Sequence, residues 1–105
     1  MLLTSYLQDG KLTIALKGEI DHHCAKQHIQ SISAKIEAYT PKICILDFQE
    51  VTFMDSSGIA VVINALRNMN KLDGQLTLAG LNPQPMKVFY ASGIDKLVHI
   101  KEVVK

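Results

Sequence analysis

The sequence predicts a single α/β domain with a mixed sheet, and three observations carry that expectation. The chain has 105 residues, which at roughly 150 residues per domain is the length of one domain. Near its start an Asp9-Gly10 pair, a strong two-residue hairpin signal, separates two short stretches of partial period-2 apolar character. Beyond them the apolar spacing alternates between extended and helical periods, and a helix between two strands demands a crossover, hence parallel neighbours and right-handed connections. The expected order is β-β-α-β-α-β-α-β, a sheet of four to five strands with an antiparallel hairpin first and helices after the crossovers.

Each element has its own signal. Leu3 to Leu7 and Lys11 to Lys17 form the hairpin, with Leu12, Ile14 and Leu16 on one face. Gly18-Glu19-Ile20 reads as a turn, and Asp21 as the cap of a helix whose stripe is Ala25, Ile29, Ile32, Ile36 and Tyr39, with Pro41 marking the exit. Ile43 to Phe48 is apolar on both faces at its start, as a central strand under helices should be. A second helix is expected from about Asp55-Ser56-Ser57 through Ile59, Val62, Ile63, Leu66 and Met69, stopped by Asp73-Gly74. Gln75 to Ala79 is the next strand. Asn82-Pro83 then supplies a cap and a proline at the first helical position, the third helix runs through Met86, Val88 and Phe89 to Ser92-Gly93, and Val98 to Ile100 is a last short strand.

Composition narrows the function. Hydrophobic residues make up 48% and charged residues 20% of the chain, which excludes disordered and fibrous classes. Eleven Lys+Arg against ten Asp+Glu leave a net charge of +1, so there is no general pull toward nucleic acid or an anionic membrane. The longest apolar run, Ile59 to Ile63, is far below the roughly 20 residues of a bilayer crossing. With no secretory pattern at the start, and Cys24 and Cys44 too few for a disulfide framework, a reducing cytoplasm is the expected setting.

In α/β folds functional residues collect at the carboxyl ends of parallel strands, here the stretches 18–23 and 50–58. The first holds Asp21-His22-His23-Cys24, with His28 a turn further on. Two ligands on one helix do not make a metal site, and no CxxC, HExxH or distant pair completes the set, so a polar helix start is expected and no metal. In the second, Met54-Asp55-Ser56-Ser57-Gly58 lacks the first glycine of the G-x-S-x-G elbow, and no phosphate-cradling glycine loop occurs, which leaves no nucleophilic or nucleotide chemistry and no cofactor. A receiver-type phospho-aspartate at Asp47 lacks the adjacent acidic pair that would hold Mg²⁺.

Asp55-Ser56-Ser57-Gly58 remains as a helix start. Asp and Ser are favoured there because their oxygens take the orphan N–H groups of the first turn. The same free donors and the positive helix end would accommodate a phosphoryl group, which adds about −1.5 to −2 charges to a nearly neutral chain. Of the apolar neighbours, Phe53 or Met54 is expected to be mostly buried, and Ile59 to divide between core and partner contact.

Leu46-Asp47-Phe48 through Val51-Thr52-Phe53-Met54-Asp55-Ser56-Ser57-Gly58-Ile59, preceded by Gly18-Glu19-Ile20-Asp21-His22-His23 and followed by Phe89-Tyr90-Ala91-Ser92-Gly93-Ile94, resembles the anti-anti-sigma factors of the STAS domain family, its sporulation branch above all. Three segments agree in order and spacing over nearly the whole chain, residues 1–105. The resemblance implies a non-enzymatic cytoplasmic switch that binds an anti-sigma factor with serine kinase activity and so releases a sigma factor. It implies that Ser56 is phosphorylated by that kinase, that the phosphorylated form lets go, and that a PP2C-type phosphatase resets it. On this reading Asp55 and Ser57 shape the acceptor loop, Asp21 contacts the kinase from the neighbouring loop, and the partner-binding residues are Asp21, Asp55, Ser56, Ser57, Gly58 and Ile59. Ala60, often glycine in the family, and Cys24, usually a non-thiol, are small departures that leave the partner open. The alternative within the family is a scaffold or ligand-sensing STAS module in another phospho-signalling assembly.

Overall fold

A computed structural model describes residues 2–101. β1 (Leu2–Gln8) and β2 (Lys11–Ile20) form the expected hairpin, and Asp9 and Gly10 both take positive φ, 53° and 79°, as a tight two-residue turn between twisted strands requires. α1 (His22–Tyr39), β3 (Ile43–Met54), α2 (Ser57–Lys71), β4 (Gln75–Ala79), α3 (Pro83–Ser92), a short 3₁₀ turn over Ile94–Lys96 and β5 (His99–Lys101) follow. The five strands lie in sequence order, antiparallel between β1 and β2 and parallel thereafter. This is the expected fold class.

The core forms on one face of the sheet. Leu12, Ile14 and Leu16 of β2, Cys44, Leu46 and Phe48 of β3, and Leu76 and Leu78 of β4 alternate inward and are sealed by the helices. Phe48 meets Phe89 of α3 edge to face, ring centroids 5.4 Å apart. α1 and α2 pack against each other, and Ser33, Asn64 and Asn68 satisfy one another at that seam, Asn68 donating to Ser33 Oγ at 2.7 Å and Ser33 to Asn64 Oδ1 at 2.8 Å.

Three expectations need correction. Gly18 is not in a turn: it lies within β2 at φ +88°, beside two register shifts between β2 and β3, so the glycine serves a bulged ladder and the strand continues to Ile20. β3 likewise does not stop at Phe48 but runs to Met54, its buried residues passing from a spacing of two to Val51 and Met54 at a spacing of three. The helical stripes are also rotated from those expected. α1 buries His28 in the company of Ala25, Ile32 and Ile36 while Tyr39 is exposed, and α2 buries Gly58, Val61, Val62, Ala65 and Met69 while Ile59, Ile63 and Leu66 only border the core.

Candidate functional site

β2 and β3 end side by side, with Ile20 opposite Met54. The residues that follow, Asp21 and Asp55, therefore leave adjacent strand ends, and the Asp55 N–H donates to Ile20 O at 3.1 Å to tie the two exits together. The structure thus brings the two sequence-predicted stretches into one site, although most of the stretch 50–58 proves to be strand.

Asp21 caps α1 as expected. Its carboxylate accepts from the N–H groups of His23 and Cys24 at 3.0 and 3.2 Å, and Cys24 Sγ accepts from the Asp21 N–H at 3.4 Å, so the thiol fills the return arm of a capping box usually held by Glu or Gln. Desolvation pushes the Asp21 carboxyl up, but the hydrogen bonds from Cys24 and His23 outweigh it and hold the group below the usual carboxylate range. His22 and His23 stand exposed with their rings 4.0 Å apart, while His28 lies fully inside, so the histidines of this stretch do not converge. Among the described residues no group of three or more His, Cys, Asp or Glu is placed to hold a metal.

At the second exit Asp55 Oδ1 accepts from the Ser57 N–H at 2.8 Å, and the Asp55 and Ser56 carbonyls accept from Gly58 and Ile59 at 3.1 Å each. Ser56 is the residue flanking α2, exposed, and its hydroxyl makes no cap hydrogen bond. Capping falls to Asp55, and Ser56 is left free. The expected set of free N–H donors is not found at this helix start. The N–H groups of Ser57, Gly58 and Ile59 already have acceptors, so a phosphoryl group on Ser56 finds no row of vacant donors at these residues and instead stands near the Asp55 carboxylate. Met54 is fully buried and Phe53 is 43% exposed, which divides the pair of apolar neighbours. Gly58 is buried because Met54 lies against it, and a Cβ there would overlap the methionine sulfur. Ile59 is half-buried against the core.

Asn82, expected as a side-chain cap of α3, and Gln84, not singled out by the sequence, both serve this site. β4 pairs with β3 only as far as Asp47 and Ala79, and beyond that point side chains take over the β3 edge. Asn82 does not cap α3 with its side chain. Its Nδ2 donates to Val51 O at 2.9 Å and Gln49 O at 3.1 Å. Gln84 takes both main-chain groups of Met54, accepting from its N–H and donating to its C=O, each at 2.8 Å. Nothing in Asn82-Pro83-Gln84-Pro85 beyond a polar residue between two prolines marks the second contact in advance.

A STAS domain model matches residues 4–105. The chain belongs to the STAS domain family. This STAS chain is 36% identical over 83 residues to the anti-sigma F factor antagonist of Lysinibacillus sphaericus, covering 79% of this chain and 71% of that one. It is 28% identical over 91 residues to the anti-sigma F factor antagonist of Paenibacillus polymyxa, covering 87% and 78%. In three dimensions it is similar to the anti-sigma factor antagonist SpoIIAA in its unphosphorylated form, with a TM-score of 0.83 and 28% identity over 99% of this chain and 90% of that one. The phosphorylated form of the Bacillus cell fate determinant SpoIIAA is also similar, with a TM-score of 0.75 at the same 28% identity over 99% and 93%. No described helix is long and apolar enough to cross a membrane.

Proposed function

We propose that this STAS chain is an anti-anti-sigma factor whose binding is gated by phosphorylation of Ser56. The unphosphorylated form binds an anti-sigma factor that is also a serine kinase, and so frees a sigma factor in the cytoplasm. The kinase transfers the γ-phosphoryl of its ATP to the Ser56 hydroxyl, the complex separates, and a PP2C-type phosphatase hydrolyses the phosphoserine to restore the binder. The chain itself carries no cofactor and no catalytic group, the nucleotide belonging to the kinase.

The observation that carries this reading is the free hydroxyl. Ser56 is exposed and released from capping by Asp55, at the end of the sheet where Asp21 and Asp55 lie together. An added phosphate takes the chain from a net charge of +1 to about −1. Because Asp55 is beside it and the nearest helix N–H groups are occupied, that charge is compensated poorly within the protein, and its bulk and desolvation cost oppose a partner packed over the exposed loop. Asp21, Asp55, Ser57 and Ile59 form the remainder of the proposed contact, while Gly58, expected there from the sequence, is buried against Met54 and instead fixes the loop together with Asp55.

The test is capture from cell lysate with and without ATP, using mass spectrometry to identify the partner and the modified residue. Ser56→Ala should bind the kinase and accept no phosphate, and Ser56→Asp should bind at least tenfold more weakly, about 1.4 kcal/mol. Equal binding of the two variants refutes the gate. Labelling lost in Ser57→Ala but kept in Ser56→Ala would move the acceptor by one residue, and turnover with ATP alone would make the chain an enzyme.

A further inference from the structure

The end of β3 that carries Ser56 is held from two sides by unlike means. On one side is a strand: Ile20 of β2 is paired with Met54 and accepts from the Asp55 N–H. On the other side β4 has already ended at Ala79, and the first turn of α3 supplies side chains in its place. A primary amide presents one acceptor and two donors, so the Gln84 carboxamide satisfies Met54 as the N–H and C=O of a neighbouring strand would, at 2.8 Å in both directions. Asn82 repeats the substitution on the carbonyls of Gln49 and Val51. Both main-chain groups of Met54 are thereby fixed one residue before Asp55, and its side chain is wedged beneath Gly58 at the first turn of α2. The segment from Met54 to Gly58 has little freedom left. Only the Ser56 side chain within it is exposed.

We infer that Gln84 is a positioning residue for the Ser56 hydroxyl, acting through the Met54 backbone to hold the Asp55–Ser56 turn in the form a serine kinase phosphorylates. The inference rests on the phospho-acceptor reading of Ser56 and deepens it, since it couples the start of α3 to the switch. Released from Gln84, the Met54 N–H and C=O lose their partner on the α3 side, Asn82 holding the strand only as far as Val51, and the serine samples orientations in which its oxygen is not in line with the nucleotide's γ-phosphorus. The expected loss therefore falls on turnover, because docking is left to other residues.

The test uses the full chain and the kinase retrieved by the capture experiment. In Gln84→Met, which keeps the length of the side chain and removes both hydrogen bonds, amide exchange at Met54 should accelerate at least tenfold. The kcat for Ser56 phosphorylation should fall about five- to tenfold with KM changed less than twofold. Gln84→Glu, which keeps the acceptor and loses the donor, should fall between wild type and Gln84→Met, and it carries the test if the methionine variant does not fold. Ser33→Ala, at the distant seam of α1 and α2, should lower the melting temperature and leave kcat within twofold of wild type. Unchanged Met54 exchange, or accelerated exchange with unchanged kcat, overturns the role of Gln84 while the Ser56 gate stands. A wild-type chain that takes no phosphate on Ser56 overturns the gate and this inference together.

Discussion

Phe53 and Met54 are adjacent in sequence and opposite in fate. Met54 is fully buried and Phe53 is 43% exposed, beside the serine proposed as the switch. An exposed aromatic costs a monomer little and gives a partner a rigid apolar anchor, since interface energy concentrates in a few such side chains. Phe53→Thr, which keeps a strand-forming residue at the position, should change the free energy of unfolding by less than about 0.5 kcal/mol. Kinase binding measured by titration calorimetry should weaken at least tenfold; unchanged affinity would place the anchor elsewhere. Cap chemistry made Asp21 and Asp55 legible, because Asp is favoured just before a helix, where its carboxylate accepts from an orphan N–H. It did not reveal that Asp55 alone does the capping and leaves Ser56 free, since either residue type satisfies an orphan N–H and only the backbone geometry decides between them.

Among the elements, α2 and β3 were the ones the sequence described least well, and the reasons are physical. A strand is recognised by its alternation, and β3 loses that alternation where it bulges against β2, so that Phe48, Val51 and Met54 are buried three apart. The same irregularity turned Gly18 from a bulge residue into an apparent turn. The hairpin, the crossovers and the order of elements survived because turn residues and long periodic stretches report them independently of any one strand's end. In α2 the true stripe runs through Gly58, Val61, Val62, Ala65 and Met69. Small residues escape a search for large apolar ones, yet Gly58 is buried because it admits Met54. Gly58→Ala should therefore destabilise the protein by about 1–3 kcal/mol, although alanine is the better helix former, because the new methyl displaces a fully packed methionine. Chemical denaturation measures this directly, and a stabilised Gly58→Ala would show that Met54 repacks freely.

At the scale of the whole molecule the most consequential residue is one for which the proposed switch has no use. His28 is the buried polar side chain of the described core, and neither ring nitrogen has a hydrogen-bond partner among the described residues. Burial holds its pKa below the ordinary value of 6.5, so the ring is neutral in the fold and takes its proton more readily once the chain unfolds. The unfolded state then binds more protons than the native state, and stability must rise with pH across that interval. The contribution is complete above about pH 6.5 and is lost as the pH falls from there toward the depressed native value, with a slope of at most about 1.4 kcal/mol per pH unit. Asp21 acts in a lower window, since its carboxyl is held below the ordinary 3.8 and its share is lost only in stronger acid. Exchanging the unpaired imidazole for an apolar side chain of similar size removes the linkage together with the unsatisfied nitrogens. Urea denaturation of wild type between pH 7.5 and pH 5 should show the decline, and His28→Leu should be at least as stable as wild type at pH 7.5 and markedly flatter below pH 6.5. Parallel curves for the two proteins would mean that the ring is solvated or protonated within the fold, and would remove the buried histidine as a source of this pH dependence.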